Sequence, residues 1–418
     1  MTAAQVRRTY YVLEFGNTVA ASLIWGVNTI FLLDAGLSNF QAFAANAFFT
    51  AGMVLFEVPT GIVADSWGRR ASFLLGTITL AVTTAFYVWL WSVHGPFWAW
   101  AVSSALIGLG FTFFSGAVEA WLVDALHATG DDGPLDPVFA RGQVFIGSGM
   151  LIGSAGGGLL AQWLGLGAPY VLRAAVLVVM FVVALLLMHD LGFTPVRGQG
   201  YLHEVRRIAG NSVRYGLRVR PVRWLLIAGL CVGGVGIYVG YALQPHLLDL
   251  WGDDSAYAVA GLSAALLAAA QIGGGLLTPR LRPLFRRRTA MILVLSSAGI
   301  LCVLLIALVP SFWAVLGFIV LWGLTGSAAI PVRQAYLNGM LPSEQRATLL
   351  SFDSLMSSTG GAVAQPLLGR SADAWGYPVS FGLSAVLSAI ALPFIWLSGR
   401  ERHPADRQVS ADVPAAAG

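Results

Sequence analysis

Ionisable side chains stand inside long apolar runs of this sequence: Glu14, Glu57, Glu119, Arg333 and Asp353. A charge in hydrocarbon is expensive, so such residues are functional candidates by default. A carboxylate in poorly hydrated surroundings resists ionisation and exchanges a proton near neutral pH. That chemistry, uptake of a proton from one side and release to the other, is expected of Glu14 or Glu119, with Asp353 as a further candidate. Glu57, Asp124, Arg141 and Arg346 lie nearer the ends of apolar runs, where ion pairs close or pack helix ends. Asp124 and Arg141 flank one loop and are placed to pair.

Catalytic and cofactor signatures are missing from the sequence. His203-Glu204-Val205-Arg206-Arg207 starts like a zinc-protease motif but lacks the second histidine. Gly147-x-Gly149-x-x-x-Gly153 imitates a dinucleotide loop, yet it lies in an apolar run, where small residues let membrane helices pack closely. Cys231 and Cys302 fall in apolar runs, which implies neither a disulfide framework nor a metal site. No enzyme, metal or cofactor is expected; a proton gradient would supply the energy.

The elements that must position these groups follow from composition. Of the 418 residues, 57% are hydrophobic and 11% charged, against about 25% charged in soluble proteins. Mean hydropathy is +0.75. This composition reads as a polytopic membrane protein. Apolar segments of about 20 residues, enough to cross a bilayer, fall at about 11–33, 41–63, 72–93, 97–122, 143–164 and 169–189. Six more fall at about 223–247, 256–277, 289–309, 312–339, 348–369 and 378–397. With the N terminus inside, 21 of the 24 basic residues, all arginine, lie on the cytoplasmic side. Arg370 is outside, and Arg173 and Arg333 are within spans. This bias predicts an even number of spans with both termini cytoplasmic. The basic linker, too, reads as a cytoplasmic loop and not as a nucleic-acid site.

The loop from Glu57 to Arg70, EVPTGIVADSWGRR, contains Gly61-x-x-x-Asp65-x-x-Gly68-Arg69-Arg70. This pattern resembles the loop between helices 2 and 3 of the major facilitator superfamily. The resemblance covers about residues 10–398. The halves also echo each other, Glu119-Ala120-Trp121-Leu122 answering Gln334-Ala335-Tyr336-Leu337, as in carriers built from two similar bundles. The resemblance implies an all-α integral membrane fold of twelve helices in two pseudo-symmetric six-helix bundles. Its divisions are expected at about 1–189, a linker at 190–222, a second bundle at 223–398 and a disordered tail at 399–418.

In that family Asp65, Arg69 and Arg70 would belong to a cytoplasmic gate, latched against the start of span 11, with Gly61 and Gly68 shaping the turn. Spans 1, 4, 7 and 10 would line the central cavity. The cavity candidates are Trp25, Asn28, Phe113, Trp121, Tyr238, Tyr241, Gln244, Trp322, Arg333 and Tyr336. Aromatic groups with a few carboxylates suit hydrophobic or cationic organic molecules. The run Gly149-x-x-x-Gly153-Ser154-x-x-Gly157-Gly158 resembles the span-5 motif of antiporters, with Ser154 where that motif has proline. The implied function is proton-coupled efflux by alternating access, multidrug-style, or carriage of a metabolite or sugar. The expected setting is the plasma membrane, as a monomer whose partners are the lipid bilayer and a small-molecule substrate.

Overall fold

The computed structural model describes residues 1–131, 133–195, 218–340 and 343–407, the last stretch with side chains from 352 onward. The described residues are overwhelmingly helical. In chain order the helices are α1 (Ala3–Ser22), α2 (Asn28–Asp34), α3 (Asn39–Trp67), α4 (Arg69–Ser92), α5 (Phe97–Thr112), α6 (Ala117–Ala128), α7 (Asp136–Leu164) and α8 (Ala168–Leu187). There follow α9 (Arg220–Val232), α10 (Val235–Trp251), α11 (Tyr257–Leu281), α12 (Arg288–Leu308), α13 (Phe312–Gly339), α14 (Ser343–Ala389) and α15 (Ala391–Arg400).

Among the described residues, ten helical segments are long and apolar enough to cross a bilayer. The last, Phe352–Arg400, turns at Gly376, whose φ of 81° leaves the helical region. The pair α1 and α2 stands outside the ten, because Arg7, Arg8, Glu14 and Asn17 lower the hydropathy of α1.

Three apolar runs that the sequence predicts as continuous are interrupted. The first breaks between Ser22 and Asn28, the fourth between Thr112 and Ala117, and the seventh between Val232 and Val235. Gly116 (φ 66°) and Gly234 (φ 73°) provide the left-handed turns at the second and third breaks. Broken helices at membrane depth leave backbone groups without their helical partners, which must be satisfied by protein.

The chain forms two compact units. The first comprises Met1–Arg206, Ile237–Ala268 and Ala362–Tyr377. Its core holds an aromatic stack in which Phe31 lies 3.9 Å from Tyr170, and Tyr87 meets Trp100 edge-on at 4.8 Å. Helix contact in lipid relies on close packing more than on hydrophobic drive, and glycines provide it here. A Cβ on Gly158 of α7 would fall 2.5 Å from the Gly261 Cα of α11. Near the start of α3, the amides of Asn39 and Phe40 donate to the two Asp373 carboxylate oxygens, each at 2.9 Å. A carboxylate there satisfies orphan donors and complements the helix dipole.

The second unit comprises Arg207–Gly236, Ala269–Gly361 and Pro378–Gly418. Val222, Leu225, Met291, Tyr336, Leu337 and Ile395 form its core.

Candidate functional site

Glu14 sits midway along α1, half-buried, and Glu119 occupies the first turn of α6, directly after the Gly116 break. The two carboxylates lie within electrostatic reach of each other and of Tyr10, and Glu119 is exposed. Neither carboxylate has a hydrogen bond or ion pair among the described residues. The break itself is tied down by Ser115, whose hydroxyl donates to Glu57 at 2.7 Å. Glu57 thus anchors the turn that presents Glu119.

The third candidate, Asp353, belongs to the second unit and has a different environment. Arg333 clasps it with two hydrogen bonds of 2.6 Å, Nη1 to Oδ2 and Nη2 to Oδ1. Arg333 Nη2 also donates to the Leu225 carbonyl at 3.3 Å. A bidentate guanidinium–carboxylate pair fixes the geometry of both side chains.

The cavity candidates divide by burial. Trp121, Tyr238 and Tyr336 are 1%, 0% and 0% exposed, respectively. Trp121 donates to the His189 carbonyl at 2.7 Å, Tyr238 packs on Phe43 at 4.4 Å, and the Tyr336 hydroxyl meets Ser398 at 3.3 Å. In this structure all three side chains are packed against protein. Trp25, Phe113, Tyr241, Trp322 and Arg333 remain half-buried.

Gln244 has a specific role in the first unit. Its Oε1 accepts from the Thr29 amide at 2.8 Å, and its Nε2 donates to the Trp25 carbonyl at 2.6 Å. It thereby satisfies the backbone freed by the break between α1 and α2. Asn28 is buried beside it, accepting from the Tyr170 hydroxyl at 3.1 Å and donating to Asn46 at 3.2 Å.

The expected loop is mostly helical: Gly61 and Asp65 lie in the last turns of α3, Gly68 is the turn, and Arg69 and Arg70 begin α4. Gly68 adopts a φ of 108°, and a Cβ there would strike the Asp190 carboxylate, so the turn requires glycine. Arg70 donates its amide to Asp190 at 2.9 Å and its guanidinium to the Leu185 carbonyl at 2.6 Å. Arg69 pairs with Asp65 at 2.6 Å. Gly61 differs from expectation, since a Cβ there would meet nothing within 4 Å. The side chain of Arg346, at the expected start of span 11, lies outside the described residues. Asp124 and Arg141 form no ion pair among the described residues. Arg141 instead lines a cavity with Arg7 and Arg8.

Arg173 of α8 is a charged residue within a span to which the sequence assigns no role. It is 2% exposed, lies 5.7 Å above the Phe111 ring, and is within electrostatic reach of Tyr87, Tyr170 and Tyr241. Its Nε and Nη2 have no hydrogen-bond partner among the described residues. Its place in an apolar run was the available signal; the sequence does not show that no acidic partner would reach it.

The family model of the Major Facilitator Superfamily matches residues 10–295 and 256–416. Multidrug resistance protein MdtG of Salmonella dublin is 26% identical over 351 residues, spanning 82% of this chain and 81% of that protein. An uncharacterized transporter of the same type, YxaM of Bacillus subtilis, is 23% identical over 382 residues, with 89% and 90% covered. Among solved structures, the nucleoside transporter NupG superposes with a TM-score of 0.80 at 12% identity, covering 94% of this chain and 99% of that one. A bacterial homolog of the human lysosomal transporter Spinster, inward-facing and unoccupied, gives 0.71 at 16% identity, covering 98% and 99%. At such identities the structures speak for the fold alone. Helical architecture, apolar spans, loop motif and family match agree: the chain belongs to the Major Facilitator Superfamily and is a multi-pass membrane transporter, not an enzyme.

Proposed function

We propose that this transporter is a proton-coupled exporter of small hydrophobic or cationic organic molecules, working by alternating access. The observation that carries this reading is the Glu14–Glu119 pair, two carboxylates within reach of each other and without a cation or hydrogen-bond donor among the described residues. Two like charges brought near each other repel, and a proton or a cationic molecule at the pair would relieve that repulsion. Competition between the two for one site is the simplest form of antiport. The relatives carrying the name multidrug resistance protein support the direction and the substrate class.

In this reading the protein has twelve spans, taking Ala3–Asp34 as the first and dividing the last long segment at Gly376. The two sequence halves act as the moving bundles of a monomer in the plasma membrane, and both termini face the cytoplasm, where arginine accumulates. Asp65, Arg69 and Arg70 serve the cytoplasmic gate. The Asp65→Ala variant should then slow transport while leaving the protein folded, and unchanged transport would count against that role.

The test of coupling uses purified protein in liposomes with a trapped pH-sensitive dye and an imposed proton gradient. Lipophilic cations, neutral drugs, nucleosides and sugars are added in turn to wild type, Glu14→Gln and Glu119→Gln. Proton flux that follows addition of the cations or drugs and disappears in either variant is the expected result. Flux with nucleosides or sugars alone would make the protein a metabolite carrier. Substrate movement indifferent to the gradient would overturn the coupling.

A further inference from the structure

The cavity that takes up Arg141 lies between the first turns of α1 and the start of α7, within the first unit. Its volume is about 460 Å³, and its walls include Arg7, Arg8, Arg141, Tyr11, Phe15 and Phe145. That size falls within the range of small-molecule sites, roughly 300–1,000 Å³.

Charge is unbalanced there. Arg7 forms an ion pair with Asp131. Arg8 and Arg141 are exposed and have no acidic partner among the described residues. Guanidinium groups sharing one hollow repel one another unless an anion joins them. Each offers a planar fork of donors matched to phosphate, carboxylate or sulfonate oxygens. The walls are equally specific. Tyr11 and Phe145 stack at 5.1 Å with planes 17° apart, and Phe15 meets Phe145 edge-on at 6.5 Å. Val12, which completes the apolar side, is 40% exposed. A purely inorganic anion would leave this surface unused.

We propose that the α1–α7 cavity is a binding site for an amphipathic anion, its oxyanion held by Arg8 and Arg141 and its apolar body lying on Tyr11, Phe15 and Phe145. The Arg7–Asp131 pair fixes the rim. The occupant is an anionic phospholipid of the surrounding leaflet or a free amphipathic anion, two sources of one chemistry. The site is independent of the proton-coupling reading, because neither Glu14 nor Glu119 lines the cavity.

The test uses the full chain in nanodiscs of phosphatidylcholine, with bound molecules read by native mass spectrometry. The probes are dioctanoyl phosphatidylglycerol, naphthalene-1-sulfonate, neutral dioctanoylglycerol and inorganic phosphate. At least one amphipathic anion should bind, and Arg8→Gln with Arg141→Gln should weaken it by about tenfold or more. Arg8→Lys with Arg141→Lys keeps the charge, loses the fork and should fall between. Arg282→Gln with Arg286→Gln, exposed arginines of the second unit, should leave affinity within about twofold. Binding of phosphatidylglycerol alone identifies a lipid site, and binding of the sulfonate identifies a site for soluble anions. The proposal is overturned if dioctanoylglycerol binds as tightly as phosphatidylglycerol, if neither amphipathic anion outbinds phosphate, or if the control variant loses as much affinity.

Discussion

The two units treat their membrane-embedded carboxylates in opposite ways. In the first, Glu14 and Glu119 face each other's charge with no cation bound to either among the described residues. In the second, Asp353 is clasped at two points by Arg333, with side chains only 12% and 27% exposed, respectively. In the function proposed above, the first arrangement is the one that takes up a proton or a cationic ligand. In the second, both carboxylate oxygens are already engaged by the guanidinium. A carboxylate without a partner is equipped to exchange protons; a carboxylate with a bidentate partner is equipped to hold helices together.

This contrast can be broken at several points. The largest effect is expected at Glu14→Gln: substrate-dependent proton flux in liposomes should fall by about a hundredfold, since general proton transfer by a positioned group is worth that much or more. Folding, judged by monodispersity and melting temperature, should be preserved. Next in size is Asp353→Asn, which leaves Arg333 partly buried without its anion. Thermal unfolding in detergent should report a loss of about 3 kcal/mol. The double variant Asp353→Leu with Arg333→Met should recover most of that loss, because a whole ion pair replaced by packed apolar groups is close to neutral. Gln244→Leu should cost about 2 kcal/mol, since it strands the Thr29 amide and the Trp25 carbonyl in the break between α1 and α2. Smallest is Asp373→Asn, an exposed cap on α3, expected to cost about 1 kcal/mol in the same melts and less at high salt.

Much of this organisation could be read from the sequence, and what could not has identifiable causes. Apolar length predicts the long helical segments, because that signal is local and repeated. Glu14 and Glu119 stand out as charges in apolar surroundings, although only the fold brings them together across 105 positions. The Gly68 turn is legible because a positive φ has one cheap residue. The breaks in the first, fourth and seventh runs are not, since Gly116 and Gly234 sit among many glycines that merely pack. Pairing is the least legible property. Asp124 and Arg141 are close in the chain and remain apart, whereas Asp373 caps a helix that begins 334 residues earlier. Trp121, Tyr238 and Tyr336 show the same limit: the rotation of a helix about its axis decides which neighbours an aromatic side chain meets, and that rotation is not written in the sequence.

The contrast between the two carboxylate sites is tested most directly by proton release on binding. Detergent-solubilised protein in weak buffer with a pH dye would be mixed with tetraphenylphosphonium, a lipophilic cation. Wild type and Asp353→Asn should release protons to the same extent, and Glu14→Gln with Glu119→Gln should release none. Release that persists in the double glutamine variant and vanishes in Asp353→Asn would assign the proton to the second unit and contradict the distinction drawn between them.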